Sequence, residues 1–265
     1  MNYDFPESVS QGSDGAQDAE NSRIAKIADE LRRRCQLHEA QSGTGQADVI
    51  PHEREQRMAE QMAKAGGYWI PMMEVFDLGD LGPSGNENDT YVAGDIVYKV
   101  NNLLNSGSIV ALLEKVLMHN LLFPDTAYQF HGFAGFDGRT VMPILKQNLV
   151  KKATPATQIM IDTYMAALGF EKADSVGRFS NGRYIVWDVI PRNVLVDAEG
   201  DIFVVDAEIK SLWSKTAATP YKTVCIPTQN KFVRHPNFVL RRETYVLRRE
   251  IYVLRRKIYI SRRKI

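Results

Sequence analysis

The stretch DVIPRNVLVDAEGDIFVVDAE, residues 188–208, constrains the fold more than any other part of the chain. Its two short apolar runs, VLV and IFVV, flank the polar segment DAEGD, in which Gly200 can supply the positive φ that a tight turn needs. This pattern predicts a β-hairpin. Because the hairpin fixes the separation of the residues at its two ends, it places Asn193 and Asp206 near each other at the open end. Asp188 lies five positions before Asn193.

These three polar side chains are compatible with two kinds of structure. Asp188, Asn193 and Asp206 carry carboxylate and amide oxygens, which are hard ligands that suit Mg²⁺. Phosphoryl transfer uses such oxygens for Mg²⁺, a Lys on the phosphates and a carboxylate near the attacking hydroxyl. An ordinary turn, with Asp and Asn side chains bonded to the backbone, explains the same spacing. The stretch alone leaves both interpretations open.

A second hairpin and a helix are predicted before it. The runs DTYVAG and DIVYKV indicate two strands that turn at Gly94, with Lys99 on the second strand. Ser108 can cap a following helix, which Pro124 ends. The segment 127–145 predicts two more strands around an Asp-Gly turn.

Further elements are predicted on either side. Thr154-Pro155 is typical of a helix start, with the helix running to Gly169, and RYIVWD is strand-like. Apolar spacing indicates a helix over about 20–38, and a second, polar helix is predicted over 52–65, ended by Gly66-Gly67. We expect both to be solvated. Residues 1–20 are polar and are expected to be disordered.

Taken together, these segments resemble a protein kinase. DVIPRN is similar to the catalytic loop, VYKV to the third strand of the N-terminal lobe, and VVDAE to the metal-binding segment. The order SGNENDTY, VYKVNN, DVIPRNVLVD and VVDAE is most similar to the compact kinase domains of polyvalent proteins. Those proteins are large multidomain products of phage and conjugative elements. The resemblance covers residues 68–212.

The resemblance implies a compact, two-lobed α+β fold with a truncated C-lobe, and ATP and Mg²⁺ as cofactors. It assigns Asp188 as the base that orients the hydroxyl and Asn193 and Asp206 as metal ligands. It assigns Lys99 to the α- and β-phosphates. The implied domains are an extension over 1–67, a kinase-like domain over 68–215 and a tail over 216–265. The lobes divide near residue 147.

Such a lysine needs an acidic partner on the next helix. Glu114 is the only acidic residue between Asn102 and Pro124, and its neighbours one helical turn away are apolar. An inward ion pair between Glu114 and Lys99 is the favoured interpretation, and a position at the edge of the helix is the alternative.

The nucleotide contacts are predicted from the same resemblance. Gly85, Asn86 and Glu87 lie where the glycine-rich loop is expected, and Glu87 could meet phosphate or metal or simply cap a turn. Met142 and Ile144 lie on the strand expected to enter the hinge, where the backbone would meet adenine. Apolar residues there could equally be plain core.

The sequence departs from the kinase pattern in four places. Val186-Trp187 replaces the His-Arg before the catalytic Asp, and Ala207-Glu208 replaces the Phe-Gly after the metal-binding Asp. No Ala-Pro-Glu follows, and the glycine-rich loop is only loosely imitated. These departures predict an active site without the usual activation-loop switch.

Charge and composition separate the tail from the body. Residues 231–265 carry 12 Lys and Arg against 2 Glu, whereas the whole chain has a net charge of only +1. The tail repeats VLRR every seven residues, but its apolar residues do not form a coiled-coil seam. A repeat without a role, nucleic-acid binding and assembly through β-prone segments all remain open. A polar N-terminus, two cysteines and no membrane span predict a cytoplasmic protein.

The expected function is therefore ATP- and Mg²⁺-dependent transfer of a phosphoryl group to a hydroxyl on an unknown protein acceptor. The alternatives are a small-molecule kinase and an inactive nucleotide-binding or interaction module. Signatures of P-loop NTPases, HExxH metalloproteases and GxSxG hydrolases do not occur.

Overall fold

The computed structural model describes residues 11–41, 51–136, 138, 140–174 and 177–212. The first ten residues and the seven-residue-repeat tail lie outside the described residues, so the expectations about them stay predictions.

The described residues form four α-helices and thirteen strands. The helices are α1 Gln11–Gln41, α2 Pro51–Gly66, α3 Ile109–Leu122 and α4 Gln158–Ala167. The strands are β1 Trp69–Ile70, β2 Asp80–Leu81, β3 Asn88–Ala93, β4 Ile96–Asn101, β5 Gln129–Ala134, β6 Met142–Asn148, β7 Thr154–Pro155, β8 Glu171–Lys172, β9 Phe179–Ser180, β10 Tyr184–Trp187, β11 Val194–Val196, β12 Ile202–Val204 and β13 Glu208–Ser211. This mixed content agrees with the expected α+β class.

A six-stranded sheet forms the first half, in the order β1-β5-β6-β4-β3-β2. The β3–β4 hairpin is confirmed, and Gly94 takes a φ of 58° in its turn. The two strands predicted over 127–145 are also confirmed as β5 and β6, which pair antiparallel. Lys99 on β4 lies opposite Leu145 on β6. The sheet thus places Lys99 on a central strand.

Two smaller sheets form the second half. One has the order β13-β10-β9-β8 and the other β12-β11-β7. The β11–β12 hairpin is confirmed, with Gly200 at a φ of 94° in the connecting segment. Strand β13, which begins two residues after Asp206, pairs antiparallel with β10, which ends one residue before Asp188. These pairings bring both ends of the 188–208 stretch to one side of the second half.

Helix α3 packs between these halves and α1. Ser108 caps it as predicted, because its side chain accepts a hydrogen bond from the backbone of Ala111. A second cap comes from α2, where the carboxylate of Glu55 accepts hydrogen bonds from the first two amides of α3, at 2.9 and 3.0 Å. These amides have no partner within a helix, so Glu55 ties α2 to the start of α3.

Helices α1 and α2 correct the expectation of a solvated extension. Ile24, Ile27 and Leu31 on α1 are buried in the same core as Leu112 and Leu113 of α3. Helix α1 also begins at residue 11, inside the segment expected to be disordered. The helical spacing predicted α1 but did not show which element α1 packs against, because α3 lies some 80 residues further along the chain.

Helix α4 begins later than predicted. Thr154-Pro155 forms strand β7 against β11, and Thr157 is the N-cap, accepting a hydrogen bond from Met160. Thr154 and Thr157 each fit the local pattern of a helix start. Because Thr154-Pro155 pairs with β11, the helix begins after Thr157.

A second hydrophobic core lies under α4 and the smaller sheets. Its largest fully buried side chains are Phe123, Ile161, Met165 and Phe179. No helix in the described part of the chain is long and apolar enough to cross a membrane.

Candidate active site

Lys99 is buried where the six-stranded sheet meets the second half of the fold. The residue is 8% exposed, and its Nζ donates hydrogen bonds to the Tyr128 hydroxyl at 2.8 Å and to the Val205 carbonyl at 2.7 Å. Since an ammonium group has three donors, one remains for another acceptor. Burial lowers the pKa of Lys99, and the nearby Asp206 carboxylate opposes that shift.

Tyr128 supports this lysine. Its hydroxyl donates to the same Val205 carbonyl at 2.9 Å, and burial raises its pKa well above the ordinary value. The hydroxyl therefore keeps its proton. The Val205 carbonyl thus has two donors, Lys99 and Tyr128.

The backbone joins Asp206 to Asn193. The Asn193 carbonyl accepts hydrogen bonds from the amides of Val205 at 2.9 Å and Asp206 at 3.4 Å. Within the described residues the Asp206 carboxylate makes no hydrogen bond or ion pair, and it lines a cavity shared with Lys99. The predicted juxtaposition of Asn193 and Asp206 at the open end of the hairpin is thus what the structure contains.

Asp188 lies beside Asn193. The Asn193 Nδ2 donates to the Asp188 carbonyl and to its Oδ2, both at 2.9 Å. Arg192 forms an ion pair with the same carboxylate at 2.9 Å. Asp188 has a φ of 60°, a left-handed conformation that Asp and Asn tolerate better than other non-glycine residues. The strained backbone turns the carboxylate, which is about 39% exposed, toward Asn193.

The oxygens present fit a divalent cation such as Mg²⁺. Nδ2 of Asn193 donates to Asp188, and its Oδ1 accepts no hydrogen bond from the residues that the structure describes. The Asp206 carboxylate, which has no hydrogen bond or ion pair within the described residues, would be the second ligand. The described residues hold no group of three or more His, Cys, Asp or Glu suited to a metal. Proteins commonly bind Mg²⁺ through one or two carboxylate or amide oxygens, with phosphate and water completing the coordination.

Glu114 does not pair with Lys99, which corrects the favoured interpretation. Its carboxylate bonds to Arg32 on α1, and its side chain is 45% exposed. Val110 and Leu117, the apolar neighbours that suggested an inward position, pack against the core shared with α1. They face another helix instead of the site.

Lys115, the next residue, faces the site instead. It lies 3.0 Å from Glu208 and 3.4 Å from Glu87. The sequence did carry a signal for it, since Leu112, Lys115, Val116 and His119 have the i, i+3, i+4, i+7 spacing of one helical face. All four line the cavity beside Lys99.

The loop before β3 differs from a flexible glycine-rich loop. Gly85 and Asn86 are exposed, and the Asn86 carbonyl accepts a hydrogen bond from Asn102 at 2.7 Å. Glu87 points inward, is 6% exposed and accepts hydrogen bonds from Asn105 and Ser106. Glu87 is thus buried and bonded to the segment before α3.

Met142 and Ile144, expected on the strand that enters the hinge, are core residues in the structure, which was the alternative interpretation. Both side chains are buried, and Ile144 is paired on both sides, with Val100 on β4 and Gly132 on β5. Its backbone has no free group for a base. The chain leaves the sheet only after Asn148, at Leu149–Lys152.

A small cavity separates Lys99 from α3. It measures about 10 Å³ and is lined by Asn88, Asn101, Lys115, His119 and Asp206, among others. That volume holds about one water molecule. The cavity is therefore too small for a nucleotide base.

His119 makes the stability of the fold depend on pH. Burial, with the charge of Lys99, lowers its pKa from 6.5 to about 3. Between these values the unfolded chain binds a proton that the folded chain does not, so stability falls as the pH drops below about 6.5. We expect wild type to lose up to about 1.4 kcal/mol per pH unit more than His119→Gln between pH 6 and 4.

Urea denaturation at pH 7, 6, 5 and 4 measures this difference. Gln can keep a hydrogen bond to Thr126, the partner of the His119 Nε2 atom, without titrating. Equal slopes for the two proteins would contradict the assignment.

Comparison with known proteins adds an independent observation. The sequence model of the family described as "Serine/Threonine/Tyrosine Kinase found in polyvalent proteins" matches residues 52–212. The match begins at α2, so it includes the helix whose Glu55 caps α3. A search of curated proteins gave no match. The matched region covers more than half of the chain, and the chain therefore belongs to the serine/threonine/tyrosine kinases found in polyvalent proteins.

Proposed function

We propose that the chain transfers the γ-phosphoryl group of ATP, in the presence of Mg²⁺, to a hydroxyl group on a protein. The observation that carries this proposal is a continuous set of contacts between the predicted residues. Lys99 binds the Val205 carbonyl beside Asp206, the Asp206 amide bonds to Asn193, and Asn193 bonds to Asp188. Lys99 comes from the sheet and the other residues come from a stretch about 90 residues later.

Each residue has a role that follows from its environment. Lys99 offers its remaining donor and its charge to the phosphates. Asn193 and Asp206 would hold the metal, which when bound neutralises and orients the phosphate oxygens. This cluster has little free volume of its own, so the triphosphate would lie on its solvent side.

Asp188 accepts the proton of the acceptor hydroxyl. The hydroxyl oxygen then forms a bond to the γ-phosphorus, and the bond from phosphorus to the bridging oxygen breaks as ADP leaves. Arg192 holds the Asp188 carboxylate on one side and Asn193 on the other, so the base is fixed before the acceptor arrives. Positioned proton acceptors of this kind contribute about 10²- to 10⁴-fold to rates.

The two residues that replace the usual Phe-Gly, Ala207 and Glu208, are packed into the fold, which supports an active site without the usual activation-loop switch. Ala207, which replaces the usual Phe, is 3% exposed within the second core. Glu208 begins β13, which pairs with β10 through four residue pairs. The segment after Asp206 is therefore held in a sheet. A change in the position of Asp206 that depends on a following Phe therefore has no equivalent in this chain.

Labelled phosphate transfer tests the proposal. The full chain is incubated with γ-labelled ATP and Mg²⁺, with casein and histone as protein acceptors and a mixture of sugars and amino alcohols as small ones. We expect label on protein, lost in EDTA and in Asp206→Asn. Label only on the small acceptors would favour a small-molecule kinase. Absence of transfer to any acceptor, the chain included, would contradict phosphotransferase activity.

A further inference from the structure

Three charged residues form a buried ion cluster beside the site, and only Glu87 among them was a predicted nucleotide contact. Lys115 lies between Glu208, at 3.0 Å, and Glu87, at 3.4 Å. Their side chains are 13%, 19% and 7% exposed, respectively. We call Glu87, Lys115 and Glu208 the Lys115 cluster. Most of the other ion pairs in the described residues involve side chains at least one-third exposed, so this cluster is unusual in its burial.

The members of the cluster come from three separate segments. Glu87 belongs to the loop before β3, Lys115 to α3, and Glu208 to β13, two residues after Asp206. The loop, the helix and the strand are separate segments, and the two ion pairs of Lys115 connect them. Lys115 is thus the point where the proposed phosphate loop and the proposed metal-binding segment are joined to α3.

The neighbouring carboxylates keep Lys115, at the centre of the cluster, positively charged. Burial acts to lower the pKa of Lys115, but Glu87, Asp206 and Glu208 outweigh it, so its pKa lies above the ordinary value. Removing one partner of a buried ion pair leaves an uncompensated charge in the interior. The loss of Lys115 would leave two buried carboxylates facing each other near Asp206, and the loop and β13 would move apart.

We infer that Lys115 is the α3 residue that positions the nucleotide site, by holding the Glu87 loop and the Asp206 segment against one helix. This rests on the proposed phosphotransferase function. The sequence predicted an ion pair between Lys99 and an acidic residue on α3. In the structure the charges are reversed, because α3 supplies the cation, Lys115, and the neighbouring segments supply the acids. Glu114 has no part in it, because it faces Arg32.

Steady-state kinetics of the full chain with Mg-ATP tests the inference. Because misplacing the loop and the Asp206 segment weakens nucleotide contacts, Lys115→Met should raise KM for ATP at least about tenfold, more than it lowers kcat. Lys115→Arg keeps the charge and should stay within about threefold of wild type. A general loss of folded protein lowers kcat and leaves KM unchanged, so the KM separates positioning from stability.

Three further variants complete the design. Lys172→Met removes a lysine whose pair with Asp162 is remote from the site and about one-third exposed, and it should behave as wild type. Glu114→Gln should also keep the wild-type KM. If Lys115→Met does not fold, as judged by its thermal transition, Glu208→Gln decides, with an expected rise in KM of several-fold.

The possible results distinguish failure of the inference from failure of the proposed function. A folded Lys115→Met variant with wild-type KM, or a KM raised by Glu114→Gln but not by Lys115→Met, overturns the inference and leaves the proposed function intact. A wild-type KM in Glu208→Gln does the same where Lys115→Met is unfolded. A wild-type chain that transfers no phosphate from Mg-ATP contradicts the proposed function, and the inference falls with it.

Discussion

Replacing Asp188 by Asn is expected to lower the rate of phosphoryl transfer by about 10²- to 10⁴-fold, because the acceptor hydroxyl then has no base. The fold should survive the change. Asn tolerates the left-handed φ of 60° found at this position, and the hydrogen bond from Asn193 to the carbonyl of residue 188 remains. Affinity for ATP should change little, since Asp188 touches neither Lys99 nor Asp206.

Single-turnover rates at saturating ATP measure this effect without interference from binding. Asp188→Ala is the less informative variant, since it adds backbone strain to the loss of the carboxylate. Transfer by Asp188→Asn at the wild-type rate would remove Asp188 from the mechanism while leaving the nucleotide site in place.

Replacing Lys99 by Met is expected to weaken ATP binding by about 10- to 100-fold, the range of a charged hydrogen bond of 1.5–3 kcal/mol. Transfer should fall with it. The variant is well matched, because Met has a similar length and burial already disfavours the charged form of this lysine. The Val205 carbonyl keeps a donor, the Tyr128 hydroxyl at 2.9 Å.

Titration with a fluorescent ATP analogue gives the affinity, and Lys172→Met serves as the control for loss of a lysine. Comparable thermal transitions for wild type and Lys99→Met would show that the fold is kept. Wild-type affinity in a folded Lys99→Met variant would mean that Lys99 is a buried structural lysine.

Local signals predicted the parts of the site that depend on nearby residues. The turn chemistry of Gly94 and Gly200 is short-range, so the two hairpins and the placement of Lys99, Asn193 and Asp206 on them followed from the sequence. The Ser108 cap is local in the same way. These elements needed no knowledge of what packs against them.

The errors concern residues whose environment is set by distant parts of the chain. Glu114 is 82 residues from Arg32, and nothing near it in sequence shows that α1 covers that side of α3. The hinge was misplaced because strand β6 continues to Asn148, and its length depends on pairing with β4. Lys115 was detectable from its helical spacing with Leu112 and His119, but the resemblance to kinases predicts an acidic residue on this helix, and Glu114 is the only one there.

Calorimetric titration of ATP into the full chain, with Mg²⁺ and with EDTA, tests the central claim most directly. The claim is that Lys99, Asn193 and Asp206 form one site for a metal-bound nucleotide. Wild type should bind ATP at least about tenfold more tightly with Mg²⁺ than with EDTA, and Asp206→Asn should show nearly equal affinities in both conditions. Wild-type binding that is absent, or that is the same with and without Mg²⁺ and in Asp206→Asn, would contradict it.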